Sequence, residues 1–286
     1  MKHILILGAK GTLGQALSLV FYSAGFTVTA WDKDDVDITN TKELQEKIAE
    51  CKPDCIINTV AINAVDAIET DVAVFANAKN INGLCVKTLA QIAETYDIPF
   101  VHYSTDYVFD GGTTLGYAEE SKPNPISKYG ETKYLGEKMA QEFSSKQYII
   151  RLSRLFGMPG ISAASKRSFV DTMIWLATES GKTQLEIVNN QISAPTYAPD
   201  LALFTKFILE NNCDYGIYHG TNEGECSWFD WAKEVFVQKN ITIPIIPVSH
   251  SHFPRPAQVP AYSVLRNTKL PKQRHWKIAL RDYLDA

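Results

Sequence analysis

Nowhere in the 286 residues does an uninterrupted apolar run approach the ~18 needed for a helix to cross a membrane. Cysteine is scarce: five residues, at 51, 55, 85, 213 and 226, scattered and never paired as Cys-x-x-Cys. That spacing offers neither a zinc site nor a disulfide framework, so reduced thiols in a cytoplasmic protein are expected. An excess of one charge is missing too. The 28 Lys and Arg stand against 32 Asp and Glu, a formal net charge of −4, and no basic face for nucleic acid follows. The opening stretch Met1–Gly8 is too short for a signal peptide, and there are no repeats or low-complexity tracts. What the chain does have is 45% hydrophobic and 11% aromatic residues, ample for one large domain or two intimate ones.

Apolar runs at Ile4–Leu7, Thr27–Trp31, Asp54–Asn58, Phe100–Tyr103 and Tyr148–Leu152 read as buried parallel strands. Stretches of helical periodicity at 12–24, 41–50, 70–95 and 126–146 separate them. This alternation predicts an α/β domain with a doubly wound parallel sheet and helices on both faces. Beyond Gly157 the pattern changes to helical stretches near 168–179, 199–210 and 228–238, interleaved with proline-rich segments at Ile243–Pro247 and Phe253–Pro260. The division expected is a dinucleotide-binding domain over 1–155, rejoined by about 187–219. A smaller, irregular carboxy-terminal substrate lobe would comprise 156–186 and 220–286, with no flexible linker between the two and a shared cleft.

Gly8, Gly11 and Gly14 lie between the first strand and first helix, with Thr12 and Leu13 between the last two. A turn there needs glycine where φ is positive and where backbone must approach a pyrophosphate, and the helix amino terminus adds free N–H groups. The spacing G-x-x-G-x-x-G resembles that of the short-chain dehydrogenase/reductase superfamily, whose Rossmann-type fold binds NAD or NADP. Asp32, at the end of the second strand, suits the adenosine ribose hydroxyls of NADH. Lys10 and Lys33 suit the 2′-phosphate of NADPH, and the choice stays open.

Tyr129-Gly-Glu-Thr-Lys133 places a tyrosine and a lysine one helical turn apart on one face. With 13 tyrosines in so lysine-rich a chain the spacing also arises by chance, and Tyr134/Lys138 repeats it five residues on. Five residues rotate a helix by roughly 140°, so the two pairs face different ways. Position selects the first. Thr105, Asp106 and Tyr107 follow the fourth strand, at the end where α/β sheets hold ligands, and Tyr129 falls in the first turns of the next helix. Reducing a ketone requires a proton for the developing alkoxide. Tyr129 would give it, Lys133 would lower the phenol's pKa and hold the cofactor ribose, and Thr105 would orient the carbonyl.

Several runs then resemble one family over nearly the whole chain: the glycine loop, STDYVFDG at 104–111, YGETKYLGE at 129–137, RLSRLFG at 151–157, NQISAPTYAPDLA at 190–202, GIYHGTNEGECSWFDWAKEVF at 216–236 and PAYSVLRN at 260–267. They look like the dTDP-4-dehydrorhamnose reductase family, which reduces the 4-keto group of a nucleotide-linked deoxysugar. The resemblance implies that Gly11, Thr12 and Leu13 contact the pyrophosphate, Asp37 and Ile38 the adenine, and Ala61, Ile62 and Asn63 the nicotinamide half. Thr105, Asp106, Tyr129 and Arg154 would surround the sugar, Gln191, Pro195 and Thr196 would shape the nucleotide-sugar cleft, and Arg255 would meet the diphosphate.

Departures from the pattern stand at Arg154, where the family has Trp, at Ile62-Asn63, at Ser193 and at Val259. An arginine beside the sugar offers charge and five donors in place of a flat apolar wall. Ala16 replaces a carboxylate that holds magnesium in some members, and His250-Ser-His252 lies in a loop, so no metal is expected. The partner expected is a nucleotide sugar, the assembly a monomer or homodimer. Two rivals remain in view: a nucleotide-sugar epimerase or dehydratase, against which Tyr107 stands where dehydratases carry Glu, and a non-catalytic subunit resembling the regulatory subunit of methionine adenosyltransferase.

Overall fold

The computed structural model describes residues 1–162 and 167–286. Strand β1 (His3–Leu7) is followed by helix α1 (Thr12–Ser23), β2 (Thr27–Trp31), α2 (Thr41–Cys51) and β3 (Cys55–Asn58). Next come α3 (Val65–Thr70), α4 (Val72–Lys79), α5 (Cys85–Thr95), β4 (Phe100–Thr105), α6 (Lys128–Phe143) and β5 (Gln147–Leu152). The chain continues through β6 (Leu155–Phe156), α7 (Phe169–Thr178), β7 (Leu185–Val188), β8 (Ile192–Ser193), β9 (Thr196–Tyr197) and α8 (Ala198–Glu210). It ends with β10 (Gly216–His219), β11 (Cys226–Ser227), α9 (Trp228–Lys239), β12 (Ile245–Val248) and α10 (Trp276–Asp285).

Six parallel strands form the central sheet in the order β10-β5-β4-β3-β1-β2. Successive side chains point to opposite faces, and each face has its own core. Ile4, Ile6, Ile57, Val101 and Ile150 pack under α1 and α8; Leu5, Leu7, Ile56, Phe100 and Ile149 pack under α2, α5 and α6. Burial on both faces is why β1 and β3 read as nearly continuous apolar runs and do not alternate. From β1 the chain goes to β2 on one side and later to β3 on the other. Strand order therefore reverses between β1 and β3, and the crevice beyond their carboxyl ends is the place where such sheets take ligands. A separate core gathers Phe156, Met173, Trp231, Val235, Trp276 and Leu280 from α7, α9, α10 and neighbouring strands. No helix among the described residues is long and apolar enough to cross a membrane.

Two elements differ from the sequence reading. The sheet gains a sixth strand, β10, a segment of only four residues that opens with glycine and carries no strand signal of its own. The helix expected over 70–95 is broken in two places. Asp71 accepts bonds from the amides of Ala73 and Val74 and so starts a new helix, and a π-helical turn at Asn80–Leu84 interrupts it again.

Candidate active site

Gly8 lies at φ +80°, and a Cβ there would stand 2.6 Å from Thr59 Oγ1. A Cβ on Gly14 would come within 2.3 Å of the Gly8 carbonyl oxygen and 2.6 Å of Ala9 Cα. The turn is packed against α1 as closely as backbone permits, and no side chain fits between. Gly11 begins α1 without a side-chain cap, whereas Asn40, Asp71 and Ser127 cap α2, α4 and α6. The first amides of α1 and the positive end of its dipole thus remain open to an anion in the cleft. That cradle fits a dinucleotide pyrophosphate.

The rest of the loop is braced from behind. Asp32 accepts the amides of Lys10 at 3.0 Å and Lys33 at 2.8 Å, and the Lys10 ammonium pairs with Asp34. Asp37 is exposed and accepts the Thr39 amide and hydroxyl, while the Ile38 side chain is buried. Past β3, Asn82 in the π turn donates to the Ile62 carbonyl at 2.9 Å and accepts its amide at 2.8 Å. This pins the backbone beside Ala61 and Asn63.

Helix α6 carries the Tyr–Lys pair into place. Ser127 caps it by accepting the Gly130 amide, and a Cβ on Gly130 would lie 2.3 Å from the Tyr107 carbonyl oxygen. Glycine at 130 is what lets the first turn of α6 press against the turn after β4. As a result Tyr129 lines the same cleft as Thr105, and the Tyr129 ring meets Tyr107 edge-on at 5.5 Å. Lys133, buried one turn further, donates to the Tyr103 carbonyl at 2.6 Å.

Burial pushes the Tyr129 phenol above its ordinary value, with the Thr105 hydroxyl opposing it. Burial instead lowers the Lys133 ammonium to about 8, against a raising influence from Glu137. One Lys133 N–H is taken by the Tyr103 carbonyl, and the ammonium's other two donors face its surroundings on the cleft.

The decoy pair is accounted for differently. Tyr134 packs against the small cluster of Val108, Phe109, Tyr117 and Leu265, and the Lys138 ammonium sits 5.0 Å above its ring.

Asp106, 4% exposed, accepts the Ser263 hydroxyl at 2.6 Å and the Thr105 hydroxyl at 3.1 Å. Burial raises its carboxyl to about 6, while the Ser263 and Thr105 hydrogen bonds and the Arg154 charge pull the other way. Arg154 adopts φ +45°, a left-handed conformation rare for arginine and costly by about 1–2 kcal/mol. Its guanidinium donates to the carbonyls of Cys226 at 2.8 Å and Gln191 at 2.7 Å and stacks 4.0 Å over Trp228. The Trp228 indole donates in turn to Gln191 Oε1 at 3.2 Å.

A single cleft of about 630 Å³ brings together Gly11, Thr12, Leu13, Gly14, Ala61, Asn63, Thr105, Asp106, Tyr107, Tyr129, Lys133, Arg154 and Gln191. Gly8, Asp32, Asp37, Ile38 and Ile62 are not among the residues that line it. Three expected substrate residues are corrected. Arg255 is held by Asp66 through Nε at 3.1 Å and Nη2 at 3.0 Å and does not line the cleft. Thr196 donates its hydroxyl to the Ser153 carbonyl at 2.6 Å, and Pro195 is buried, so both act as packing. His252 pairs with Glu186 at 3.0 Å. Sequence reasoning missed Trp228, Ser263 and Asn82. Ser263 and Trp228 fall inside motifs quoted above but far along the chain from the residues they meet, and Asn82 sits in what reads as uninterrupted helix.

A phenol and a lysine one turn apart, a hydroxyl at a strand end and an anion cradle on the same cleft define a class, the nicotinamide-dependent oxidoreductases of the extended short-chain type. A family model described as "RmlD substrate binding domain" matches residues 1–286. The chain is 34% identical to a dTDP-4-dehydrorhamnose reductase of Aggregatibacter actinomycetemcomitans, over 99% of this chain and 98% of that one. It is 35% identical to a probable dTDP-4,6-dihydroxy-2-methyloxan-3-one 4-ketoreductase of Streptomyces antibioticus, over 97% and 93%. The crystal structure of dTDP-4-dehydrorhamnose reductase from Bacillus anthracis in complex with NADP superposes with a TM-score of 0.92 at 33% identity, covering 100% of this chain and 99% of that one. The chain belongs to the dTDP-4-dehydrorhamnose reductase family.

Proposed function

We propose that the protein reduces the 4-keto group of a nucleotide-linked deoxysugar, with NADPH or NADH as hydride donor and dTDP-4-dehydrorhamnose as the first substrate to test. The observation that carries this reading is the convergence of Thr105, Tyr129 and Lys133 on a cleft floored by the glycine cradle. When bound, the reduced nicotinamide supplies the hydride. Gly11, Thr12, Leu13 and Gly14 bind the pyrophosphate through backbone amides, with Gly8 making the turn. Asp32, Asp37 and Ile38 lie on the adenosine side, and Ala61, Ile62 and Asn63 on the nicotinamide side. Lys133 holds the ribose. Tyr129 donates its proton to the carbonyl oxygen as that oxygen gains charge, and Thr105 fixes the carbonyl's direction. Asp106, Tyr107, Arg154 and Gln191 line the sugar side.

In this reading residues 1–155 with about 187–219 hold the cofactor, and 156–186 with 220–286 cover the sugar; four of these, 163–166, lie outside the described residues. The enzyme would work in the cytoplasm as a monomer or homodimer, consistent with five unpaired cysteine thiols. The test is oxidation of NADPH or NADH against a panel of nucleotide-linked 4-keto sugars. Turnover with dTDP-4-dehydrorhamnose or another 4-keto sugar supports the reading. No turnover with any of them, from protein that binds the cofactor, refutes it.

A further inference from the structure

We propose that Asp106 and Ser263 are positioning residues that decide which way the Thr105 hydroxyl donates its hydrogen during reduction. The inference rests on the reductase reading and deepens it. A threonine hydroxyl has one hydrogen and two lone pairs. Here Thr105 Oγ1 donates to Asp106 Oδ1 at 3.1 Å and accepts the Tyr107 amide at 3.2 Å. An ionised carboxylate only accepts. While Asp106 is ionised, the Thr105 hydrogen is committed to Oδ1, and one lone pair takes the Tyr107 amide. Thr105 then has no hydrogen free for a ketone.

One proton on Asp106 reverses the chain. Ser263, arriving from 157 residues along the sequence, donates to Oδ2 at 2.6 Å, so the carboxyl proton belongs on Oδ1, facing Thr105. Oδ1 now donates to Thr105, which already accepts the Tyr107 amide. Both Thr105 lone pairs are filled, and its own hydrogen is released toward the cleft that Tyr129 also lines. On reduction the ketone carbon takes hydride, its oxygen takes the Tyr129 proton, and Asp106 keeps its own. Four elements surround this carboxyl: Arg154 after β5 favours the ionised form, while Tyr107 beside it and Tyr129 on α6 are phenols raised by its charge. Ser263 contributes a neutral donor.

The test compares the parent with Asp106→Asn, Ser263→Ala and Ser263→Thr, using two readouts. The first is single-turnover hydride transfer to a 4-keto sugar as a function of pH. The parent rate should fall about tenfold per pH unit above the Asp106 break. Asp106→Asn, whose amide donates to Thr105 as the neutral acid does, should lack that break. Ser263→Ala should move it up by about one pH unit, because the ionised carboxylate loses a hydrogen bond, and Ser263→Thr should restore it. The second readout is the carboxyl carbon-13 shift of Asp106, assigned by its loss in Asp106→Asn, which should titrate at higher pH in Ser263→Ala. A break that survives unchanged in Asp106→Asn, or a carboxyl titration unmoved in Ser263→Ala, overturns the inference. A parent inert toward every 4-keto sugar overturns the reductase reading, and the carboxyl titration still decides whether Ser263 controls Asp106.

Discussion

Replacing Lys133 by methionine should make the protein more stable and less active at once. The ammonium is 3% exposed, and burial lowers it from 10.5 to about 8. At 1.36 kcal/mol per pH unit, keeping that charge at neutral pH costs the folded state about 3 kcal/mol relative to the neutral amine. Methionine matches the stem without the charge, but forfeits the 2.6 Å bond to the Tyr103 carbonyl, worth about 1–2 kcal/mol. A net gain of about 1–2 kcal/mol remains, which is a rise of a few degrees in Tm for a chain of this size. Turnover should fall at least a hundredfold and cofactor affinity should drop, because the group proposed to hold the ribose is gone.

The sign with pH provides an internal check. Between pH 8 and 10.5 the folded protein has released the Lys133 proton while the unfolded chain still holds it, so this group makes stability rise with pH across that window. Lys133→Met should remove that contribution. Lys138→Met, on the exposed side of the same helix, should change neither stability nor turnover appreciably. Thermal melts at pH 7 and pH 9, with single-turnover assays on the same samples, measure all of this. A Lys133→Met protein that melts several degrees lower and turns over like the parent would refute both the electrostatic argument and the assigned role.

Tyr129→Phe keeps the ring against Tyr107 and should leave fold and cofactor binding intact while turnover falls ~10²–10⁴-fold, the usual share of general acid catalysis; Tyr134→Phe should stay within a few fold, and equal effects in the two variants would refute the assignment. Arg154→Trp breaks two bonds to carbonyls and the stack on Trp228, so denaturant titration should show a loss of about 1–3 kcal/mol. Its activity with dTDP-4-dehydrorhamnose relative to other 4-keto sugars should also change; an unaltered preference would leave Arg154 a purely structural residue.

The buried strands and the helices over the first 155 residues were legible because burial on both faces demands continuous apolar runs, and no tertiary knowledge is needed to see them. The glycine turn was legible for a similar reason: only glycine fits at position 14, where a Cβ would stand 2.3 Å from the Gly8 carbonyl oxygen. Spacing also offered two Tyr–Lys pairs on one helix, and strand-end position pointed to the first. Only the packed structure shows why. Gly130 brings Tyr129 against the turn after β4, while Tyr134 closes over Phe109 and Leu265. The remaining surprises all join residues far apart in the chain. Arg255 is bound to Asp66 across 189 positions, Arg154 to Cys226 across 72, and Asp106 to Ser263 across 157. A side chain's charge and length are written in its identity, but the partner that spends its hydrogen bonds is set by which loops the fold brings together. That is why Arg255 read as free for a diphosphate and proved already paired.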